Sequence, residues 1–239
     1  MSELHQILDR MTRQIQDWET TANRRAIFLS CYKQMTQNML AGIDAADFHD
    51  PPWVNQLLHR FAEYYFNALV HYEAHDGATP LVWQQVHDSA NRVETLVIQN
   101  LILGVNAHIN YDLVLTLVDL LQAEWENLQP ALRQQRYADY CLVNDVIGRT
   151  IDTVQDTVIE RWSPLMDVVD KLLGRLDEWL ISHLITHWRE KVWQQAVQVI
   201  ETADPTTREQ LRQQIEASTL KRADAILLKD GLTTLQYLL

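Results

Sequence analysis

With 239 residues, of which 47% are apolar and 22% charged, the chain has the length and balance of a globular protein with a substantial core. Its net charge of −12 argues against non-specific binding to nucleic acid or to anionic membranes, because both need clustered Lys and Arg. The two cysteines lack metal-ligand spacing, and the N-terminal segment lacks the apolar core of a signal peptide. We therefore expect a cytoplasmic protein without a membrane span or a nucleic-acid partner.

Helical periodicity runs through the whole chain, and no segment has a convincing strand pattern. Only six Gly and six Pro also argue against an all-β fold. We predict an all-α fold: a single globular domain over residues 1–239, with eight or nine helices around a buried central helix. The predicted helices span residues 2–20, 23–40, 52–75, 80–103, 106–121, 130–162, 164–200 and 206–229, the next to last with a bend near Gly174.

Three helix boundaries in the middle of the chain are predicted from capping signals. Thr79 is a candidate N-cap with Pro80 at the first helical position. This helix is expected to reach Leu103, and Gly104 then interrupts it. Asn106 is a candidate N-cap for the central helix.

The central segment, residues 101–119, is apolar except for polar residues at alternate positions: Asn106, His108, Asn110 and Asp112. The segment is too long for a typical strand, so we predict a helix. His108 and Asp112 then share a face because they are four residues apart, whereas Asn110 points away. Buried polar side chains are costly unless they have partners. These four must be satisfied by one another, by other helices, by water or by a ligand.

The pair His108 and Asp112 is the leading candidate for a catalytic site. A carboxylate beside an imidazole fixes its tautomer, which suits a general base or a nucleophile. The same pair could instead supply two ligands to a divalent metal. A third interpretation is a buried polar cluster that only specifies helix packing.

Four further residues are candidates for substrate binding: Asn106, Asn110, Asn144 and Asp145. Each has a structural alternative. Asn106 could be a cap, and Asn110 could bind a neighbouring helix. Asp145 belongs to a stripe of charges, with Arg149, Asp152 and Asp156, that is typical of a solvated helix face.

A second histidine pair, His183 and His187 with Glu190 on the same face, has a spacing that would permit metal binding. His-x-x-x-His alone is a weak signal, and we favour a structural role. No Glu-x-x-His, Gly-rich phosphate loop or Gly-x-Ser-x-Gly motif occurs in the sequence. No cofactor is therefore predicted, although a divalent metal stays an alternative.

The segment Gly-Val-Asn-Ala-His-Ile-Asn-Tyr-Asp-Leu, residues 104–113, resembles the signature of the bacterial and fungal family known as domain of unknown function 5995. Phe48-His-Asp-Pro51, Trp83 and Asn144-Asp-Val fit the same family. The resemblance covers residues 25–200 and leaves out the polar C-terminal helix at 206–229. It implies an all-helical domain and no particular chemistry.

These features together favour an enzyme that binds a small apolar carbonyl compound and acts on it through His108 and Asp112. Condensation or cyclisation would fit, for example closure of a furanolide ring in natural-product biosynthesis. One alternative is a metal-dependent hydrolase similar to the all-helical zinc phospholipases, with His108 and Asp112 as ligands. Another is a non-catalytic binding or scaffold protein.

Overall fold

Every regular element among the described residues is a helix, and no strand occurs among them. The computed structural model describes residues 3–154, 158, 160–162 and 178–228. If the continuous helix Val97–Leu121 is counted once, eight helices in these ranges have ten or more residues. The predicted all-α fold is confirmed. The helices are α1 (Glu3–Thr20), α2 (Ala26–Asp44), α3 (Pro51–Ala74), α4 (Leu81–Ala90), α5 (Val97–Ala107), α6 (Leu113–Leu121), α7 (Pro130–Val154), α8 (Glu160–Trp162), α9 (Glu178–Glu201) and α10 (Pro205–Leu227), with a π-helical turn (His108–Asp112) between α5 and α6.

The start of α3 follows the sequence prediction. Asp50 is the N-cap and accepts a hydrogen bond of 3.0 Å from the backbone N–H of Trp53, while Pro51 and Pro52 occupy the first helical positions. Asp139 of α7 accepts two backbone N–H groups from the preceding loop, at 2.7 and 2.8 Å. These bonds hold the start of α3 against α7.

Two predicted boundaries around α4 are wrong. Pro80 is the residue before the helix rather than its first residue, and Thr79 is not the cap. The helix ends at Ala90 instead of near Leu103, and a turn over residues 91–96 follows. That turn contains neither Gly nor Pro, so the usual helix-breaking signals are missing from it. The predicted start at Pro164 and the bend at Gly174 lie outside the described residues.

Gly104 does not interrupt the central helix, and Asn106 does not cap it; both lie inside α5. A Cβ atom on Gly104 would lie 2.3 Å from Cγ of Phe28 on α2. Glycine is therefore needed for the close approach of α2 and not for a turn. The predicted helix break at Gly104 is wrong, and the glycine marks a packing contact instead.

The segment from α5 through the π-turn to α6, Val97–Leu121, is one continuous helix that we call the central helix. It is contacted by α2, α3, α4, α9 and α10. It is long and apolar enough to cross a membrane, but 78% of its most apolar window is buried inside the molecule. Such a composition is expected of a core helix. One cluster of buried side chains extends from Leu4 in α1 to Ile226 in α10.

Candidate functional site

A cavity of about 170 Å³ lies between α2, α3, the central helix, α7 and α9. Most of its wall is apolar, and the polar groups are few. The hydroxyls of Thr36 and Thr150 donate to backbone carbonyls of their own helices. Among the lining residues, ionisable nitrogen groups come from His108 and Arg189. The apolar wall includes Phe28, Met35, Met39, Leu57, Leu58, Phe61, Ile102, Leu113, Ile147 and Leu184.

His108 reaches this cavity from the π-turn and is only 3% exposed. Its ring stacks on Phe61, with centroids 3.5 Å apart and planes inclined by 8°. Tyr32 meets the ring edge-on, with centroids 4.3 Å apart. The Nε2 atom is buried and has no hydrogen-bond partner among the described residues. Buried polar atoms nearly always have a partner, so this nitrogen marks a place where a ligand could bind.

Asp112 holds the other ring nitrogen. The distance from Nδ1 of His108 to Oδ2 of Asp112 is 2.8 Å. Trp83 of α4 donates its indole N–H to the same carboxyl group, at 3.1 and 3.0 Å from the two oxygens. The predicted pairing of His108 with Asp112 is therefore present in the structure. The pair lies in a π-helical turn, a local widening of the helix that is frequent at functional sites.

Burial sets the protonation of this pair. It lowers the pKa of His108 well below its ordinary value and raises the pKa of Asp112 well above its own, with the Trp83 N–H opposing the second shift. Both shifts disfavour charge. A neutral pair holds one proton between Nδ1 and Oδ2 and another on Nε2. The nitrogen at the cavity wall can thus donate a proton and, once it has lost it, accept one.

Arg189 of α9 lines the same cavity and is 4% exposed. Its Nε donates to Oδ1 of Asn144 at 2.7 Å, and its Nη2 donates to the backbone carbonyl of Tyr140 at 2.7 Å. The guanidinium lies over the Tyr140 ring, 4.1 Å from the centroid. Asn144 was predicted to bind substrate. The structure instead places its side-chain oxygen on Arg189, and Asn144 does not line the cavity.

The sequence profile of a family of unknown function, DUF5995, matches residues 4–229. The chain belongs to that family. The match is wider than the resemblance over residues 25–200, because it takes in the N-terminal and C-terminal helices. No match was found among curated proteins or among solved structures.

Asn106 and Asn110 are not at the cavity in this DUF5995 member. Asn110 donates its amide to Oδ1 of Asn106 at 3.1 Å, and Asn106 donates to the backbone carbonyl of Thr219 at 3.0 Å. The hydroxyl of Thr219 donates in return to the backbone carbonyl of Asn110, at 3.2 Å. These bonds join the central helix to α10. Both amides therefore bond within the protein, and their predicted contact with substrate stays a prediction.

Asp145 is exposed on α7, away from the cavity, which agrees with the solvated-face interpretation. The side chains of Asp152 and Asp156 lie outside the described residues. His183 and His187 do not line the cavity, and Glu190 accepts a hydrogen bond of 2.9 Å from Gln194. In the part of the chain that the structure describes, no three His, Cys, Asp or Glu residues could together hold a metal ion.

Arg189 was not among the site residues predicted from the sequence. A signal for it existed, because Ile185 and Val192 share its helix face at spacings of four and three residues, and both are buried. A charged residue inside an apolar stripe needs a partner or a function. Its neighbour Trp188 also lines the cavity, whereas Glu190 does not.

Proposed function

We propose that this protein is an enzyme that binds a small apolar carbonyl compound in the cavity and moves a proton through His108. The proposal rests on one observation: His108 lines an apolar cavity, and its buried Nε2 has no partner among the described residues. Leaving such a nitrogen unsatisfied costs about 1–3 kcal/mol. His87 also has buried nitrogens without partners among the described residues, but it does not line this cavity, whereas His108 does.

The chemistry follows from the two states of the pair. In the neutral state, Nε2–H donates a hydrogen bond to the carbonyl oxygen of the substrate. Once the pair has released one proton to water, Asp112 is a carboxylate and Nδ1 carries the remaining proton. Nε2 then accepts a proton from the carbon next to the carbonyl, and the C–H electron pair forms an enolate. Returning that proton to carbon or oxygen closes the cycle. Asp112 fixes the ring orientation and stabilises the protonated imidazole.

An enolate formed in a dry cavity can attack a second carbonyl, so the proposal covers condensation and cyclisation. Closure of a furanolide ring in natural-product biosynthesis is one reaction of this class. Cys31 and Cys141 are both free thiols, which suits a reducing compartment, and we place the reaction in the cytoplasm. The described residues offer the metal-dependent alternative no ligand set beyond His108 and Asp112.

Deuterium exchange next to a carbonyl tests the proposal without knowledge of the true substrate. The protein is incubated in D₂O with a panel of small ketones and β-keto esters, and exchange is followed by NMR. Wild type should accelerate exchange of at least one compound over buffer. His108→Gln should lose that acceleration, while His59→Gln, a change of a partly exposed histidine on α3, should keep it. Equal exchange with wild type and folded His108→Gln would contradict the acid–base role.

A further inference from the structure

Arg189 has a feature that the proposed reaction does not use. Its guanidinium is buried in the wall of the cavity, and two of its nitrogens are held by Asn144 and Tyr140. The third nitrogen, Nη1, has no acceptor among the described residues. The side chain is therefore fixed in orientation and still has donor capacity left.

Among the described residues, no opposite charge lies beside Arg189. No Asp or Glu carboxylate among the described residues lies within 4.0 Å of its guanidinium. The contact with the Tyr140 ring compensates part of the charge, since a cation is attracted to an aromatic face. Buried charges are otherwise paired with an opposite charge. An anion in the cavity would complete this arrangement.

We propose that Arg189 binds a carboxylate and that the cavity takes a small apolar carboxylic acid. The apolar part of the acid would fill the space between α2, α3 and the central helix, where the wall is lined by Met35, Leu58 and Ile102. This inference rests on the proposed function in that it places the acid in the same cavity as His108. It narrows the substrate class from carbonyl compounds in general to those with a carboxylate.

The cavity volume limits the size of the acid. An engineered apolar cavity of about 150 Å³ holds one benzene molecule, and this cavity is about 170 Å³. A chain of about six carbons therefore matches the available space. Hexanoate is a suitable probe, and hexanamide is its neutral counterpart of nearly the same shape.

The test is calorimetric titration of both probes into wild type, Arg189→Met and Arg133→Met. Arg133 is a matched control outside the cavity. Its guanidinium lies over an aromatic ring, 4.5 Å from the centroid of Trp125, and donates to two backbone carbonyls, where that of Arg189 donates to one backbone carbonyl and one side-chain oxygen. Wild type and Arg133→Met should prefer hexanoate about 10- to 100-fold, the range typical of a hydrogen bond to a charged group. Arg189→Met should bind the two probes equally.

Two further measurements keep the outcome decisive. If Arg189→Met does not fold, Arg189→Lys should keep a weaker preference for hexanoate, because it retains the charge without the planar donor pair. Wild type that binds hexanoate no better than hexanamide overturns the proposal whatever the variants do. Deuterium exchange reports on His108 independently: an Arg189-dependent preference with no His108-dependent exchange would leave this inference standing and remove the proposed reaction.

Discussion

Phe61 of α3 lies flat against the imidazole of His108, with ring centroids 3.5 Å apart and an interplanar angle of 8°. Phe61 is only partly buried, whereas His108 is almost completely buried. The phenyl ring therefore covers one face of the imidazole and limits its rotation.

Phe61→Leu should slow the exchange reaction about 10- to 100-fold, because small displacements of a catalytic group have effects of this size. Leucine keeps the site apolar, so the fold should persist. Phe66→Leu removes a comparable ring from the same helix away from the cavity and serves as the control. The readout is the exchange rate by NMR; equal loss in both variants would mean that only stability had changed.

Asp112→Asn should reduce the exchange rate about 10²–10⁴-fold, the usual contribution of general acid–base catalysis. An amide N–H donated to Nδ1 forces the proton onto Nε2, so that the ring can no longer act as a base. Trp83 can still donate to the amide oxygen, which favours a folded variant. Asp145→Asn changes an exposed carboxylate on α7 and should leave the rate unchanged.

His87→Phe should remove a source of acid sensitivity. Burial lowers the pKa of His87 to about 3, with Arg25 adding to the effect, and the ring is 4% exposed with neither nitrogen bonded among the described residues. The unfolded chain binds a proton at this residue below pH ~6.5, and the folded protein does not. The stability linked to neutral His87 is present above pH ~6.5 and is lost as the pH falls towards about 3.

The measurement is urea unfolding of wild type and His87→Phe between pH ~7 and ~4.5. The stability of wild type relative to the variant should fall by up to about 1.4 kcal/mol per pH unit below ~6.5. The pair His108 and Asp112 should add little slope in this range. Folded Asp112 keeps a proton that it loses in the unfolded chain, whereas folded His108 lacks a proton that it binds in the unfolded chain, and the two differences cancel. Parallel pH profiles for the two proteins would contradict this assignment to His87.

Asn106→Leu should destabilise the protein by about 1–3 kcal/mol, since it leaves the amide of Asn110 without its buried acceptor and removes the bond to the backbone carbonyl of Thr219. Hexanoate binding by the folded variant should not change. Urea unfolding and calorimetric titration report on the two effects separately. If folded Asn106→Leu keeps full stability but loses hexanoate binding, Asn106 contacts the ligand and does not serve packing.

The cluster of buried side chains that runs from Leu4 to Ile226 predicts a single cooperative unit. Differential scanning calorimetry should show one transition with matching calorimetric and van't Hoff enthalpies. Two separated transitions would divide the chain into two domains and would contradict the single-domain prediction.

The parts of this site that the sequence predicted are those that depend on local geometry. His108 and Asp112 are four residues apart on one helix, and helical periodicity alone brings them together. Asn106 and Asn110 are also four apart and do bond to each other. Their bonds to Thr219 exist because α10 packs on this face of the central helix. The sequence of the central segment does not show which helix packs there.

The roles of Gly104 and Arg189 also depend on tertiary packing and could not be predicted from the sequence. A glycine inside an apolar helix signals a break or a close contact, and only the position of Phe28 distinguishes the two. In α9 the histidine spacing suggested a possible metal site, and nothing in the sequence placed Arg189 at the cavity. Its importance depends on which face of α9 meets the cavity, which is a property of tertiary packing.

The π-turn between α5 and α6 makes the site depend on one extra residue in the central helix. A π-turn holds one residue more than a regular α-helical turn, so deleting a residue from it would let the helix close into regular α-geometry, with about 100° per residue. Leu113, Leu117 and Leu121, now fully buried, would then keep nearly the same face towards the core, while the side chains within the shortened turn would change direction. A single deletion here would therefore alter the surroundings of His108 and leave the fold in place.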